Sequence, residues 1–156
     1  MASTDTVLDE LLARVRVLED KTQLASLMNR YCIAADARDR VTQGKCFTED
    51  ISFHTAWGVF RGRAEIAKMS DEQRHIGETA MQHSMTNYEF SVDGDSATGT
   101  GSLFFAGTLD TSRPLEHRSR GGHYAWEFRR GGEFGWQISK LVVQIIWEGR
   151  SGGVLW

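Results

Sequence analysis

The chain has 156 residues, of which 40% are hydrophobic and 25% are charged, and its formal net charge at neutral pH is −3. Its aromatic and aliphatic content excludes intrinsic disorder, and its net negative charge argues against a nucleic-acid partner. No stretch approaches the ~18 apolar residues of a membrane-spanning helix, and we do not expect the acidic, amphipathic N-terminus to be a signal peptide. We therefore expect a single domain over residues 1–156 with no membrane or nucleic-acid partner.

Cysteine spacing and glycine motifs bear on location and cofactors. Cys32 and Cys46 form neither a CxxC motif nor a zinc-ligand spacing, which favours reduced thiols in the cytoplasm. Gly99-Thr100-Gly101 lacks the third glycine of a dinucleotide-binding loop, and the chain contains no P-loop or nucleophile elbow. We therefore expect an activity that needs no cofactor and no metal.

The first half of the chain has mainly helical periodicity. Thr4 and Thr6 can each cap a helix whose apolar residues recur every three or four positions to Leu18, and the pattern restarts at Leu24. A period of two begins at Ile51. The predicted elements are helices over residues 4–18, 24–39, 41–47 and 64–73, with strands over 51–55 and 59–61.

The second half alternates strand-like segments with turns. Asp93-Gly94-Asp95 and Arg130-Gly131-Gly132 are strong hairpin signals, and the segment 110–121, which contains the single proline, is predicted as a loop. Arg118, Arg120, Arg129 and Arg130 alternate with glutamates and indicate a solvated, salt-bridged surface. The predicted strands are 82–92, 97–109, 122–130 and 134–147, so the fold class is α+β, with helices on one face of a curved antiparallel sheet.

His83 lies in a strand whose two faces differ in character. Alternation places His83 with Met85 and Asn87 on one face, if Tyr88 and Phe90 share the other. A face that carries His, Met and Asn together is typical of a cavity lining. A surface imidazole explains His83 about equally well.

Three further residues are candidates for chemistry. Asp36 lies in the last turn of a helix, where the helix dipole disfavours an acid, so a specific partner is favoured over a plain surface carboxylate. Tyr31 is on the apolar stripe, where core packing alone would explain it. His123 follows two glycines at a strand start, where a histidine without function is common. Asp36 with two histidines could form a metal triad, but no ligand spacing supports one.

The order and spacing of many short segments resemble the SnoaL-like family across roughly residues 10–148. This family has the cone fold of nuclear transport factor two, in which a strongly curved antiparallel sheet wraps around N-terminal helices and encloses one deep pocket. The segments that carry the resemblance are Asn29-Arg30-Tyr31, Asp36-Ala37-Arg38-Asp39, Cys46-Phe47-Thr48-Glu49-Asp50, Phe60-Arg61-Gly62, His83 with Thr86-Asn87, Val92-Asp93-Gly94-Asp95, Gly122-His123-Tyr124 and Gly135-Trp136-Gln137-Ile138.

Within that family the chain resembles scytalone dehydratase, bile-acid 7α-dehydratase and hexachlorocyclohexane dehydrochlorinase. The resemblance implies a catalytic helix Asp paired with a strand His, assisted by a helix Tyr and a second strand His. The matching positions are Asp36, His83, Tyr31 and His123. Some relatives add an Asn or Arg on the last strand, where Gln144 or Arg150 could stand.

The implied function is a cofactor-independent lyase or isomerase, dehydratase-like, acting on a hydrophobic cyclic small molecule. A non-catalytic binding or assembly module and a polyketide-type cyclase are the alternatives. We expect a homodimer or homotrimer, as in related cone folds. The residues expected to contact substrate are Phe53, Trp57, Met85, Asn87, Phe104, Trp126 and Gln144.

Overall fold

A six-stranded sheet packs against a long N-terminal helix in the computed structural model, which describes residues 3–73 and 78–151. In that part of the chain no helix is long and apolar enough to cross a membrane. The helices are α1 (Thr4–Ala37), α2 (Arg40–Lys45) and α3 (Gly62–Gln73), and the strands are β1 (Phe47–Thr55), β2 (Gly58–Arg61), β3 (Ala80–Asp93), β4 (Ser96–Thr108), β5 (His117–Arg130) and β6 (Trp136–Ser151).

The strands are ordered β2-β1-β6-β5-β4-β3 in the sheet, which is curved and unclosed. All neighbours pair antiparallel except β1 and β6, which run parallel. A two-residue turn joins β3 to β4, and Gly94 there takes a φ of 56°, a value that favours glycine. The predicted α+β class is confirmed. The parallel pair was not predicted, because β1 and β6 are far apart in sequence and no hairpin sets their relative direction.

Helix α1 is continuous over the two segments that the apolar pattern separates. It begins after Ser3, whose side chain accepts a hydrogen bond from the Thr6 N–H at 3.2 Å, so the cap is Ser3 rather than either threonine. Asp20 occupies an inward position of the helix and accepts hydrogen bonds from Arg130 and Trp136. A buried polar side chain therefore interrupts the apolar stripe without ending the helix.

The core lies between the inner stripe of α1 and the concave face of the sheet. Trp126 is 2% exposed and stacks on Tyr124, with 5.4 Å between ring centroids. Fully buried side chains from both layers include Leu24, Leu27, Met28, Phe47, Ile51, Phe128, Trp136, Ile138 and Leu141.

A β-bulge in β3 changes which side chains face the core. The pairing of β3 with β4 shifts between Thr86 and Glu89, and Asn87 takes a left-handed φ of 57°. Met85 and Phe90 are both buried on the concave side, although simple alternation places them on opposite faces. The predicted grouping of Asn87 with His83 and Met85 is therefore wrong, because the extra residue reverses the alternation.

Strand β5 starts earlier than the sequence indicates. Residues 117–121 pair with β4 on one side and with β6 on the other, so the predicted loop ends at residue 116. The polar composition of residues 117–121 favours a loop, although these residues form part of an interior strand of the sheet. As a consequence Arg120 has a fixed place on the concave face.

The first turns of α1 expose an apolar stripe that predicts self-association. Leu8, Leu11, Leu12, Val15 and Leu18 are 46–65% exposed, and a monomer would leave them in water. The apolar C-terminal segment 152–156, which also favours association, lies outside the described residues. We expect a dimer or trimer by light scattering at micromolar concentration. A monomeric mass would contradict this expectation.

Both cysteines are unpaired and buried in the structure. Burial raises the pKa of the Cys32 thiol to about 12 and that of the Cys46 thiol to about 11. We therefore expect negligible reaction with Ellman's reagent in the native protein and two equivalents of thiol in denaturant without reductant. Fewer than two equivalents in denaturant would show that a disulfide had formed.

Candidate active site

A carboxylate on α1 and an imidazole on β3 form a hydrogen-bonded pair. Asp36 Oδ1 lies 2.6 Å from His83 Nδ1. The same carboxylate also accepts the backbone N–H of His83, at 3.1 Å to Oδ1 and 2.9 Å to Oδ2. Since β3 is the edge strand of the sheet, this N–H has no neighbouring strand on that side. Asp36 therefore fixes both the ring of His83 and the strand that carries it. His83 is the specific partner that the position of Asp36 at the helix end predicted.

The pairing determines which nitrogen of His83 can react. Because Nδ1 donates to Asp36, the neutral ring carries its hydrogen on Nδ1 and leaves the Nε2 lone pair free. No other described residue makes a hydrogen bond with the His83 ring. The Phe105 ring packs edge-on against the imidazole, with 4.9 Å between centroids. Nε2 is thus available to a molecule in the cavity that His83 lines.

The cavity beside His83 lies between α1, α3 and the concave face of the sheet and has a volume of about 190 Å³. This is less than the ~300–1,000 Å³ typical of sites for drug-sized ligands, so it suits a compact molecule. Its apolar walls are formed by Phe53, Met69, Met81, Leu103, Phe105, Val143 and Ile145.

Two buried tyrosines, Tyr31 and Tyr124, both line the cavity. Each is 4% exposed, and burial raises the pKa of both phenols well above the usual value. Both hydroxyls therefore stay protonated near neutral pH. A protonated phenol in the cavity wall can donate its O–H to a ligand.

Tyr124 was not predicted as a site residue. A signal was present in the sequence, because Tyr124 alternates with Trp126 and Phe128 and so belongs to the buried face of β5. The same alternation places His123 on the other face.

Three arginines, Arg38, Arg40 and Arg120, also line the cavity. The Arg38 guanidinium donates to the backbone oxygen of Glu78. Arg40 donates to the Gln43 side chain at 2.8 Å and to the Ser70 backbone, and pairs with Asp71 at 3.5 Å. The sequence predicted that Arg120 belongs to a solvated surface cluster of arginines. This prediction is wrong for Arg120, because the longer β5 brings it to the concave face of the sheet.

Of the predicted catalytic residues, His83 and Tyr31 line the cavity, and Asp36 is hydrogen-bonded to His83. Among the predicted contact residues, Phe53 and Trp57 line it, and Trp57 is 60% exposed near its mouth. Met85 and Trp126 face the same side of the sheet but are buried in the core and do not line the cavity.

The remaining predicted site residues lie on the outer face of the sheet. His123 pairs with Ser102 on β4 and with Gln144 on β6, and this row is exposed away from the cavity. Asn87 donates to the Ser102 hydroxyl at 3.3 Å, because the bulge turns it outwards. Phe104 is 50% exposed and packs on Trp147. The structure thus separates these side chains from His83, and a catalytic role for His123 is not retained. Arg150 is also exposed and does not line the cavity.

Residues that could bind a metal do not converge. The alternative triad of two histidines with Asp36 is not assembled, since His123 and His83 lie on opposite faces of the sheet. Over residues 3–73 and 78–151 no group of three or more His, Cys, Asp or Glu side chains could hold a metal ion.

The fold and the chain's sequence can be compared with known proteins. An NTF2-like protein with a cystatin-like fold from Novosphingobium aromaticivorans is 26% identical, with a TM-score of 0.76 over 89% of this chain and 90% of that one. Hexachlorocyclohexane dehydrochlorinase LinA-type3 from Novosphingobium barchaimii is 17% identical, with a TM-score of 0.78 over 92% of this chain and 97% of that one. An NTF2-like superfamily protein from Salmonella enterica is 17% identical, with a TM-score of 0.70 over 80% of this chain and 89% of that one. The likeness of these structures establishes the fold.

Sequence comparison identifies the family. A search of curated proteins finds no match to this chain. The model of the SnoaL-like domain matches residues 16–142, which include α1 from its fourth turn, the dyad and the strands up to the middle of β6. The chain therefore belongs to the SnoaL-like family.

Proposed function

We propose that the chain is a cofactor-independent lyase or isomerase that removes a proton from a carbon atom of a compact, hydrophobic, cyclic small molecule. The hydrogen bond of 2.6 Å between Asp36 and His83, with Nε2 left free at the cavity, carries this proposal. A pocket that only binds a ligand has no need of a half-buried carboxylate aligned behind an imidazole. The likeness to hexachlorocyclohexane dehydrochlorinase supports a reaction of the same class.

In the proposed reaction His83 is the general base. Its Nε2 takes a proton from a carbon next to a carbonyl or one bond from a leaving group. The electron pair of the broken C–H bond then moves into a new double bond, either to form an enolate or to expel the leaving group with its own bonding pair. Asp36 fixes the tautomer of the neutral ring that has its lone pair on Nε2, and it stabilises the imidazolium that forms. Return of the proton to a different carbon would complete an isomerisation, and its transfer to the leaving group an elimination.

In the proposed reaction Tyr31 and Tyr124 stabilise negative charge on the substrate. The free hydroxyl hydrogen of Tyr31 or Tyr124 can donate to a carbonyl oxygen or to a departing hydroxyl, and a well-placed donor is worth on the order of 3 kcal/mol in the transition state. The apolar walls exclude water and strengthen this interaction.

Tyr31→Phe should lower kcat by roughly 10- to 100-fold, less than loss of the base, because the Tyr124 hydroxyl remains to donate. Tyr88→Phe is the matched control. Its hydroxyl donates to Asn29 at 3.2 Å and does not line the cavity. Steady-state kinetics of both variants measure the difference. Equal rates for Tyr31→Phe and the control would remove Tyr31 from the mechanism.

The proposal is tested by ligand screening followed by chemistry in heavy water. Thermal-shift screening among compact hydroxylated aromatics and other cyclic molecules of one or two rings finds ligands, and each is then incubated with the protein in deuterium oxide and analysed by mass spectrometry. We expect deuterium at carbon or loss of a small leaving group such as water. Ligands that bind but return unchanged would support the binding module instead. Activity that is lost on chelation and restored by a divalent metal would contradict a cofactor-independent reaction.

A further inference from the structure

Arg120 differs from the other cavity arginines because neither of its terminal nitrogens donates to a protein oxygen in the described part of the chain. Its Nε lies 3.1 Å from the carboxylate of Glu148, its register partner on β6, whose side chain is 62% exposed. Within the described part of the chain it makes no other polar contact. Arg38 and Arg40, in contrast, both donate to protein oxygens. The terminal nitrogens of Arg120 are therefore free to donate into the cavity that the residue lines.

Two aromatic rings hold the Arg120 guanidinium in place. Its central carbon lies 5.7 Å from the centroid of the Trp57 ring and 5.5 Å from that of the Phe105 ring. Such contacts attract the cation and restrict its plane, so that less conformational freedom is lost when it binds a ligand. The guanidinium is thus positioned before any ligand arrives.

Arg120 and the proposed base lie on the same row of the sheet. His83 on β3 is the register partner of Phe105 on β4, and Phe105 is the register partner of Arg120 on β5. Two strand spacings separate the base from the cation, about 10 Å between their Cα atoms. A single ring lying over Phe105 could therefore present a C–H bond to His83 and a substituent to Arg120.

We propose that Arg120 binds a carboxylate of the substrate, so that the cavity selects compact cyclic carboxylic acids. A carboxylate matches the planar, forked donors of a guanidinium and can bind them in a bidentate manner. The volume of about 190 Å³ and the apolar walls restrict the rest of the molecule to one or two rings. This inference rests on the proposed function for the role of His83, but binding at Arg120 can be measured without turnover.

Calorimetric titration with 2-naphthoate and with 2-naphthamide tests the inference, because these probes differ mainly in charge. The wild-type protein should bind naphthoate at least about tenfold more tightly than naphthamide. Arg120→Met keeps the apolar stem and removes the guanidinium, and it should weaken naphthoate binding about tenfold or more while leaving naphthamide binding unchanged. Arg129→Met is the matched control. Arg129 is on the same strand, pairs with Asp50 on the surface and does not line the cavity.

Glu148→Gln provides a second variant, at an exposed position that does not threaten folding. It removes the carboxylate that competes for Arg120, so naphthoate binding should tighten severalfold with no change for naphthamide. Equal binding of the two probes, no naphthoate binding at millimolar concentration, unchanged naphthoate affinity in Arg120→Met, or no gain in Glu148→Gln would overturn the inference. His83→Ala should still bind naphthoate. A failure of the proposed reaction would therefore appear as bound but unconverted acids, whereas a failure of this inference would appear as loss of the charge preference.

Discussion

His83→Ala and Asp36→Asn should each reduce turnover to near background while the protein stays folded. Loss of the imidazole removes the proton acceptor, which is worth on the order of 10²–10⁴-fold in rate. Asp36→Asn removes the charge that stabilises the imidazolium, and the amide can hold the ring in the wrong tautomer, so its penalty should approach that of His83→Ala. Steady-state kinetics on a substrate found by screening, with melting curves, measure both effects.

The two substitutions should not be additive. Because Asp36 acts through His83, the double variant should be little slower than either single one. His123→Ala is the matched control, since it removes an imidazole from the outer face of the same sheet and should leave the rate unchanged. If Asp36→Asn remained folded and kept a rate near that of the wild type, the proposed dyad would be wrong.

The dyad was predictable because each partner left a local signal. Asp36 is an acid in the last turn of a helix, and His83 is a polar residue on a strand face that also carries Met85. The prediction that these two residues form a pair came from the resemblance to the SnoaL-like family. Their contact depends on how α1 crosses β3, which no local pattern of residues specifies.

The bulge in β3 explains much of what the sequence did not reveal about the site. Asn87 adopts a left-handed backbone, but many asparagines in turns do the same, so this residue alone does not predict a bulge. The bulge becomes visible only in the pairing with β4, where the register shifts by an extra residue of β3. On that strand Gly101 is required, since a Cβ there would lie 2.7 Å from the Trp126 ring. The reversed alternation moves Asn87 outwards and brings Phe90 into the core.

The position of Arg120 in the cavity wall was not predicted, for a related reason. Residues 117–121 are polar and glycine-rich, so composition favours a loop, and only pairing on both sides makes them a strand. Gly121 is needed there because the Trp147 indole occupies the space that a Cβ would take. Tertiary contacts, rather than local preference, thus placed a cation in the cavity wall.

Asp20 is a buried carboxylate that should contribute strongly to the stability of the fold. It is 8% exposed and accepts two hydrogen bonds from Arg130, at 2.7 and 2.9 Å, and one from Trp136 at 3.1 Å. Asp20→Asn keeps the shape but turns an acceptor into a donor that faces Arg130. Because the Arg130 side chain is 38% exposed, water can partly compensate, and we expect a loss of about 2 kcal/mol in the free energy of unfolding rather than the ~3–5 of a fully buried pair.

The pH dependence of this loss follows from the pKa of Asp20. The hydrogen bonds from Arg130, above all, hold that pKa below its ordinary value of 3.8. The stabilisation is therefore fully present above about pH 3.8 and disappears as the pH falls through the lower pKa of the folded state. Urea unfolding at neutral and acidic pH should show that the difference in the free energy of unfolding between wild type and Asp20→Asn becomes smaller in acid.

Asp95→Asn is the control, because Asp95 pairs with the same arginine at 2.9 Å but is 90% exposed, and this substitution should change the stability little. A pH-independent difference for Asp20→Asn would mean that packing, rather than charge, makes Asp20 important.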